Sequence, residues 1–106
     1  MAAPAVVDIG TIITSSPDFR GGRPHVAGTG MTVMRIAGWY KLGMSPEEIA
    51  ENISLSVAQV YAALTYYHAN REVIDADLDA EAEEYDRALQ EHRLKRKQQQ
   101  LLQQQP

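Results

Sequence analysis

The stretch Pro46–Thr65, PEEIAENISLSVAQVYAALT, is the feature that most narrows what this chain can fold into. It reads as helix, tight turn, helix, with no gap. Ala50 is the small residue where the two helices would cross, and Ile53 and Leu55 flank the turn. Val60, Ala63 and Leu64 recur at helical spacing as the inward face of the second helix. Ser45-Pro46-Glu47-Glu48 supplies the start: serine as cap, proline in the first turn, and Glu48 placed to close a capping box. The first helix of the pair is expected over Pro46 to Asn52. Ser54 or Ser56 caps the second, expected over Val57 to Asn70, with Val57, Val60, Tyr61, Leu64 and Tyr67 or His68 turned inward.

Units of this shape usually lay the second helix in a DNA groove. Here only Ser56, Gln59 and Thr65 could hydrogen-bond base edges, and no Arg or Lys lies between Lys41 and Arg71. Nonspecific DNA affinity comes chiefly from basic side chains that release counterions. One copy is therefore expected to bind DNA poorly. Arg20, Arg23, Arg35 and the Arg93–Lys97 cluster could add from outside the motif, particularly in a dimer.

Ahead of this unit, residues 1–7 are small and apolar and are expected to fray. Ile9–Thr14 is rich in β-branched residues and reads as a short strand. Ser15–Pro24 is a loop broken by Pro17, Gly21-Gly22 and Pro24; His25-Val26-Ala27 reads as a second strand and Gly28-Thr29-Gly30 as a turn. Two short strands make a marginal sheet, so the hairpin needs a third strand or a second subunit. Ile12, Ile13 and Val26 are accordingly expected to pair between two copies, giving a homodimer. A helix over Val33 to Leu42 follows, with Val33, Ile36, Ala37, Tyr40 and Leu42 as its stripe, Trp39 half exposed near its end, and Gly43 as its stop.

The net charge of −4 is unevenly spread. Residues 1–71 carry five acids against five bases. Residues 72–91 carry nine acids and only Arg87, a net of −8, and residues 92–106 carry Arg93, Lys95, Arg96 and Lys97. Arg71–Asp77 reads as a break. A fourth helix is expected from Leu78 to Gln90 or beyond, with Ile74, Leu78, Ala82, Tyr85 and Leu89 as its apolar stripe. Acids early and bases late suit the dipole of a long solvated helix. The same acids repel phosphate and suit a basic protein partner, which singles out Asp75, Asp79, Glu83 and Glu84. The tail QQQLLQQQP is of low complexity.

Several chemistries have no residues to carry them. With no Cys, there is no disulfide and no thiolate metal site, which fits a cytoplasmic protein. The N-terminus lacks the basic segment and apolar run of a signal peptide, and no stretch approaches the length that spans a bilayer. His25, His68 and His92 lie far apart, so no metal or other cofactor is expected. Asp75, Asp77 and Asp79 alternate as in a calcium loop, without its glycine or its closing Glu. Gly21-Gly22-Arg23-Pro24 lacks the Gly-Lys-Ser/Thr ending of a phosphate loop. No nucleophile, base and acid fall into a catalytic pattern, so the chain is not expected to be an enzyme.

The run from Ile12 to Asp79 resembles the bacterial and archaeal domain-of-unknown-function 433 family. The residues that carry the resemblance are Gly21-Gly22-x-Pro24, Gly28-Thr29, Leu42-Gly43-Met44-Ser45-Pro46-Glu47-Glu48-Ile49, and Val60-x-Ala62-Ala63-Leu64-x-Tyr66-Tyr67. The resemblance implies a homeodomain-like fold and the role of an antitoxin in a type II toxin–antitoxin pair. Such an antitoxin caps a small PIN-like ribonuclease and represses its own promoter. The family pattern has Arg where this chain has Gly30, which takes a guanidinium away from that turn.

The expected architecture is mainly α: a three-helix, homeodomain-like helix-turn-helix core with a short N-terminal β-hairpin and a long C-terminal helix. Residues 8–79 form the family-like domain, and 80–106 form the acidic-then-basic helix and Gln-rich tail. Three functions remain open. One is an antitoxin docking on a PIN-like toxin, the second a helix-turn-helix regulator acting on promoter DNA, and the third a dimeric protein-interaction scaffold.

Overall fold

The computed structural model describes residues 6–104. The expected fraying over 1–7 falls mostly on residues 1–5, outside the described residues. Two units divide the chain, Met1–Ile74 and Asp75–Pro106. The first ends ahead of the boundary expected at residue 79.

The architecture is the expected one. A short hairpin of β1 (Ile13–Thr14) and β2 (His25–Val26) precedes α1 (Val33–Lys41), α2 (Pro46–Ile53), α3 (Val57–Ala69) and the long α4 (Arg71–Gln103). Ile13 pairs with Val26 and Thr14 with His25, antiparallel. The strand expected over Ile9–Thr14 is shorter than its composition suggests. Ile9–Thr11 is a 3-10 turn instead, because the Asp8 carboxylate accepts from the Gly10 amide at 2.9 Å and captures the backbone locally.

The sheet has two strands, and a further segment, residues 31–33, lies beside β2 within the chain. Val26 N–H donates to the Met31 carbonyl at 2.9 Å, His25 bridges to Thr32, and Val33 N–H donates to the Pro24 carbonyl. On the other side, Ala27 N–H donates to the Ile12 carbonyl at 2.8 Å. Residues 24–27 are thus flanked on both sides, and the hairpin also packs on α3. Helix packing stabilises a sheet too small to stand alone.

The core of the first unit is built around α3, which lies against both α1 and α2. Val60, Ala63, Leu64 and Tyr67 bury its inner face. Val33, Ile36 and Ala37 of α1 meet it, with Ile49 and Ala50 of α2 and Val26 of the hairpin. Burying each large aliphatic contributes roughly 1.5–3 kcal/mol. Two expected core positions are not inside: Val57 and Tyr61 are 44% and 46% exposed, because the stripe through Val60, Ala63, Leu64 and Tyr67 turns them away. Leu42, expected on the α1 stripe, is 82% exposed because it caps the helix rather than lying within it.

Helix ends follow the sequence closely. Ser45 and Glu48 close a capping box at α2, and Ser56 and Gln59 close another at α3. Gly43 stops α1 with φ of 102°. Ser54 ends α2 in the left-handed region, with φ of 56°. The break expected over Arg71–Asp77 is confined to Asn70 (φ −135°, ψ 38°), and α4 begins at the next residue. Asn70 explains this. Its side-chain amide donates to the Tyr66 carbonyl at 3.0 Å, and its own carbonyl accepts from the Ile74 amide, so one residue closes α3 and opens α4. Buried Ile74 pins that first turn.

Candidate functional site

Two surfaces merit a functional reading: the outward face of α3 and the acidic part of α4.

On α3, two of the three residues expected to read DNA, Ser56 and Gln59, are occupied by the helix start. The Ser56 hydroxyl oxygen accepts from the Gln59 amide at 3.1 Å, and Gln59 Oε1 accepts from the Ser56 amide at 2.8 Å. Thr65 is exposed further along the same helix. Between them stands Tyr61, whose hydroxyl donates to Glu47 Oε1 of α2 at 2.7 Å. That hydrogen bond holds the Glu47 carboxyl below the ordinary carboxylate range and raises the Tyr61 phenol above its own. A carboxylate is therefore fixed beside α3 where a DNA reader would need a cation.

The basic residues of the first unit are elsewhere. Arg71 lies 5.7 Å from the Tyr67 ring centre, and Arg20 the same distance from that of Phe19. Arg20 also fills the space above Gly30, where a Cβ would stand 2.9 Å from Nη2. The guanidinium missing from position 30 is thus matched by one that reaches over the same backbone from position 20. His25 is the one buried polar residue among those described. Its ring lies 4.6 Å from that of Phe19, and its Nδ1–H donates to the Arg23 carbonyl at 3.3 Å. Nothing in the sequence signals this burial, and the Phe19 ring reaches His25 from the preceding loop. His68, expected at the core edge, is exposed and stands edge-on to Tyr40. Among the described residues no three His, Cys, Asp or Glu side chains gather to hold a metal ion.

Of the three residues expected to pair copies, Val26 is fully buried and its amide is engaged. Ile12 and Ile13 are half-buried, with Ile13 on the outer strand.

On α4, Asp79, Glu83 and Glu84 are exposed and Asp75 is half-buried. All four lie in the second unit, as do Arg93, Lys95, Arg96 and Lys97. No described helix is long and apolar enough to cross a membrane.

A three-helix unit with a small hairpin seated on its central helix, followed by a long polar helix, defines a small, mainly helical class of protein. The chain belongs to the family described as protein of unknown function (DUF433), whose sequence profile matches residues 13–67. Its fold is similar to the crystal structure of a DUF433 member protein from Anabaena variabilis ATCC 29413. The TM-score is 0.61 at 26% identity, over 65% of this chain and 69% of that one. No curated protein matches the chain. The family match ends at Tyr67 within α3, so all of α4 lies beyond it.

Proposed function

We propose that this protein is a non-enzymatic, antitoxin-like module of a type II toxin–antitoxin pair. In this reading it works in the cytoplasm, and α4 binds and neutralises a PIN-like ribonuclease. One observation carries the reading. Asp79, Glu83 and Glu84 are exposed on a single helix within a block of net charge −8, while α3 offers no Arg or Lys for a nucleic acid. A nuclease that holds RNA needs a basic groove, and an acidic helix complements such a groove by charge and steers the encounter. Exposed pairs of this kind are screened by salt, so the complex should form fastest at low ionic strength.

The test is a tagged pull-down of the full chain from its native host, followed by light scattering on the eluate. Co-elution of a PIN-like nuclease is the expected result. Charge reversal at Asp79, Glu83 and Glu84 should abolish it, and undiminished capture by that variant would refute docking through α4. A chain that elutes without a nuclease, yet retains its own promoter DNA at low salt, would replace this reading with that of a DNA-binding regulator.

A further inference from the structure

We propose that α4 pairs antiparallel with α4 of a second copy of this chain, about a midpoint at Arg87. The inference goes beyond the antitoxin reading and does not depend on it. Among the 33 residues of α4, Ile74 is the only buried one. Beyond it, Leu78, Tyr85 and Leu89 fall on one side of the helix, with Ala82 beside them. Tyr85 is 68% exposed there, and Leu78 and Leu89 are half-buried. A helix with so little apolar contact of its own gains most from a partner that covers this stripe.

The charge pattern names the partner and its direction. Reflected about Arg87, Tyr85 of one copy lies level with Leu89 of the other, and the reverse. On one flank of the seam Lys95 of the second copy then falls between Asp77 and Glu81, and on the other Arg93 and Lys97 of the second copy fall on either side of Asp79. Arg96 lies level with Leu78, where its aliphatic stem can cover the leucine while its head stays in water. A parallel pair would instead set the acidic block of one copy against that of the other, a like-charge arrangement that selects against it. The helix is thus self-complementary only head to tail. Glu83, Glu84 and Glu91 sit on the side away from the Leu78–Tyr85–Leu89 stripe, so pairing leaves them facing outward.

The test uses the purified full chain and two charge variants. One variant turns the basic end acidic (Arg93→Glu, Lys95→Glu, Lys97→Glu), and the other turns the acidic stretch basic (Asp77→Lys, Asp79→Lys, Glu81→Lys). Sedimentation equilibrium should give twice the chain mass for the unaltered protein at low salt. Association should weaken by about tenfold or more as the salt is raised toward 1 M. Each variant alone should be monomeric, and an equimolar mixture should recover the dimer, because the acidic ends of one then meet the basic ends of the other. Circular dichroism checks that both variants keep their helix content. A monomer at low salt would overturn the proposal. So would variants that each dimerise as well as the unaltered chain, which would place the interface at the hairpin, and so would a mixture that fails to associate.

Discussion

The Tyr61 hydroxyl donates to Glu47 Oε1 at 2.7 Å and so ties α3 to α2 across the turn between them. The sequence places Tyr61 among the core residues of α3, and in the fold it is a strap on the surface instead. Each partner shifts the other: Glu47 is held below the ordinary carboxylate range, chiefly by the Tyr61 hydroxyl, and Tyr61 is raised, chiefly by Glu47. A depressed carboxyl contributes stability above its unfolded value and loses it as pH falls through the folded one. A raised phenol contributes below its unfolded value and loses it as pH rises through the folded one. The strap is therefore at full strength from above the carboxylate range to below the phenol range. Tyr61→Phe should lower the Tm slightly at neutral pH, and the gap to the unaltered protein should close under acid and again under strong alkali. Thermal melts across pH check this, and a pH-independent gap would mean the hydrogen bond does not bear on stability.

Ser56 and Gln59 invite two different roles, and their geometry favours capping. Ser56→Ala should cost about 1 kcal/mol, the usual worth of a lost N-cap. Ser56→Asp keeps an acceptor for the Gln59 amide and should restore most of it. Ser45→Ala should behave like Ser56→Ala, since Ser45 makes the same box with Glu48. Chemical denaturation of the three variants measures this, and equal stability for Ser56→Ala and the parent would show that the box is idle.

What the sequence made legible was governed by local rules. The boxes at Ser45 and Ser56, the stop at Gly43 and the buried stripe through Val60, Ala63 and Leu64 each depend on residues within a turn or two of one another. The misreadings share a different cause. Ile9–Thr11 has strand composition, but a neighbouring side chain, Asp8, outcompetes the ladder. Arg71–Asp77 is polar enough to pass for a loop, yet Asn70 alone makes the break, and burial of Ile74 holds the next turn helical. The third segment beside β2 went unseen because Met31 and Thr32 look like the approach to a helix. For the candidate site, residue types and charge were readable, but the use of Ser56 and Gln59 by the cap and the partnership of Tyr61 with Glu47 depend on tertiary placement.

Gly28 and Gly30 differ in what they allow. Gly28 has φ of 75° with nothing within 4 Å of an added Cβ, whereas a Cβ on Gly30 would meet only the mobile end of Arg20. Gly28→Ala should therefore cost about 1 kcal/mol through backbone strain alone. Gly30→Ala should stay within about 0.5 kcal/mol, because the Arg20 guanidinium can swing aside. Paired denaturation curves decide between them. A larger loss at Gly30 than at Gly28 would mean that Arg20 is fixed over position 30 by more than its contact with the glycine.

Two apolar residues of α4 should respond very differently to truncation. Ile74 is buried in the first unit, whereas Leu94 is 66% exposed in the second. Removing a buried branched side chain loses both its transfer free energy and the contacts around the void it leaves, so Ile74→Ala should cost about 2–4 kcal/mol. In a domain this small, that is a large share of the total stability. Leu94→Ala removes little that water does not already reach and should change stability by less than about 0.5 kcal/mol. Leu94 also lies off the Leu78–Tyr85–Leu89 stripe, so its replacement should leave the mass in solution unchanged. Denaturation and sedimentation of the two variants check this together. A large loss at Leu94 would mean that the second unit buries its outer face against something beyond the single chain.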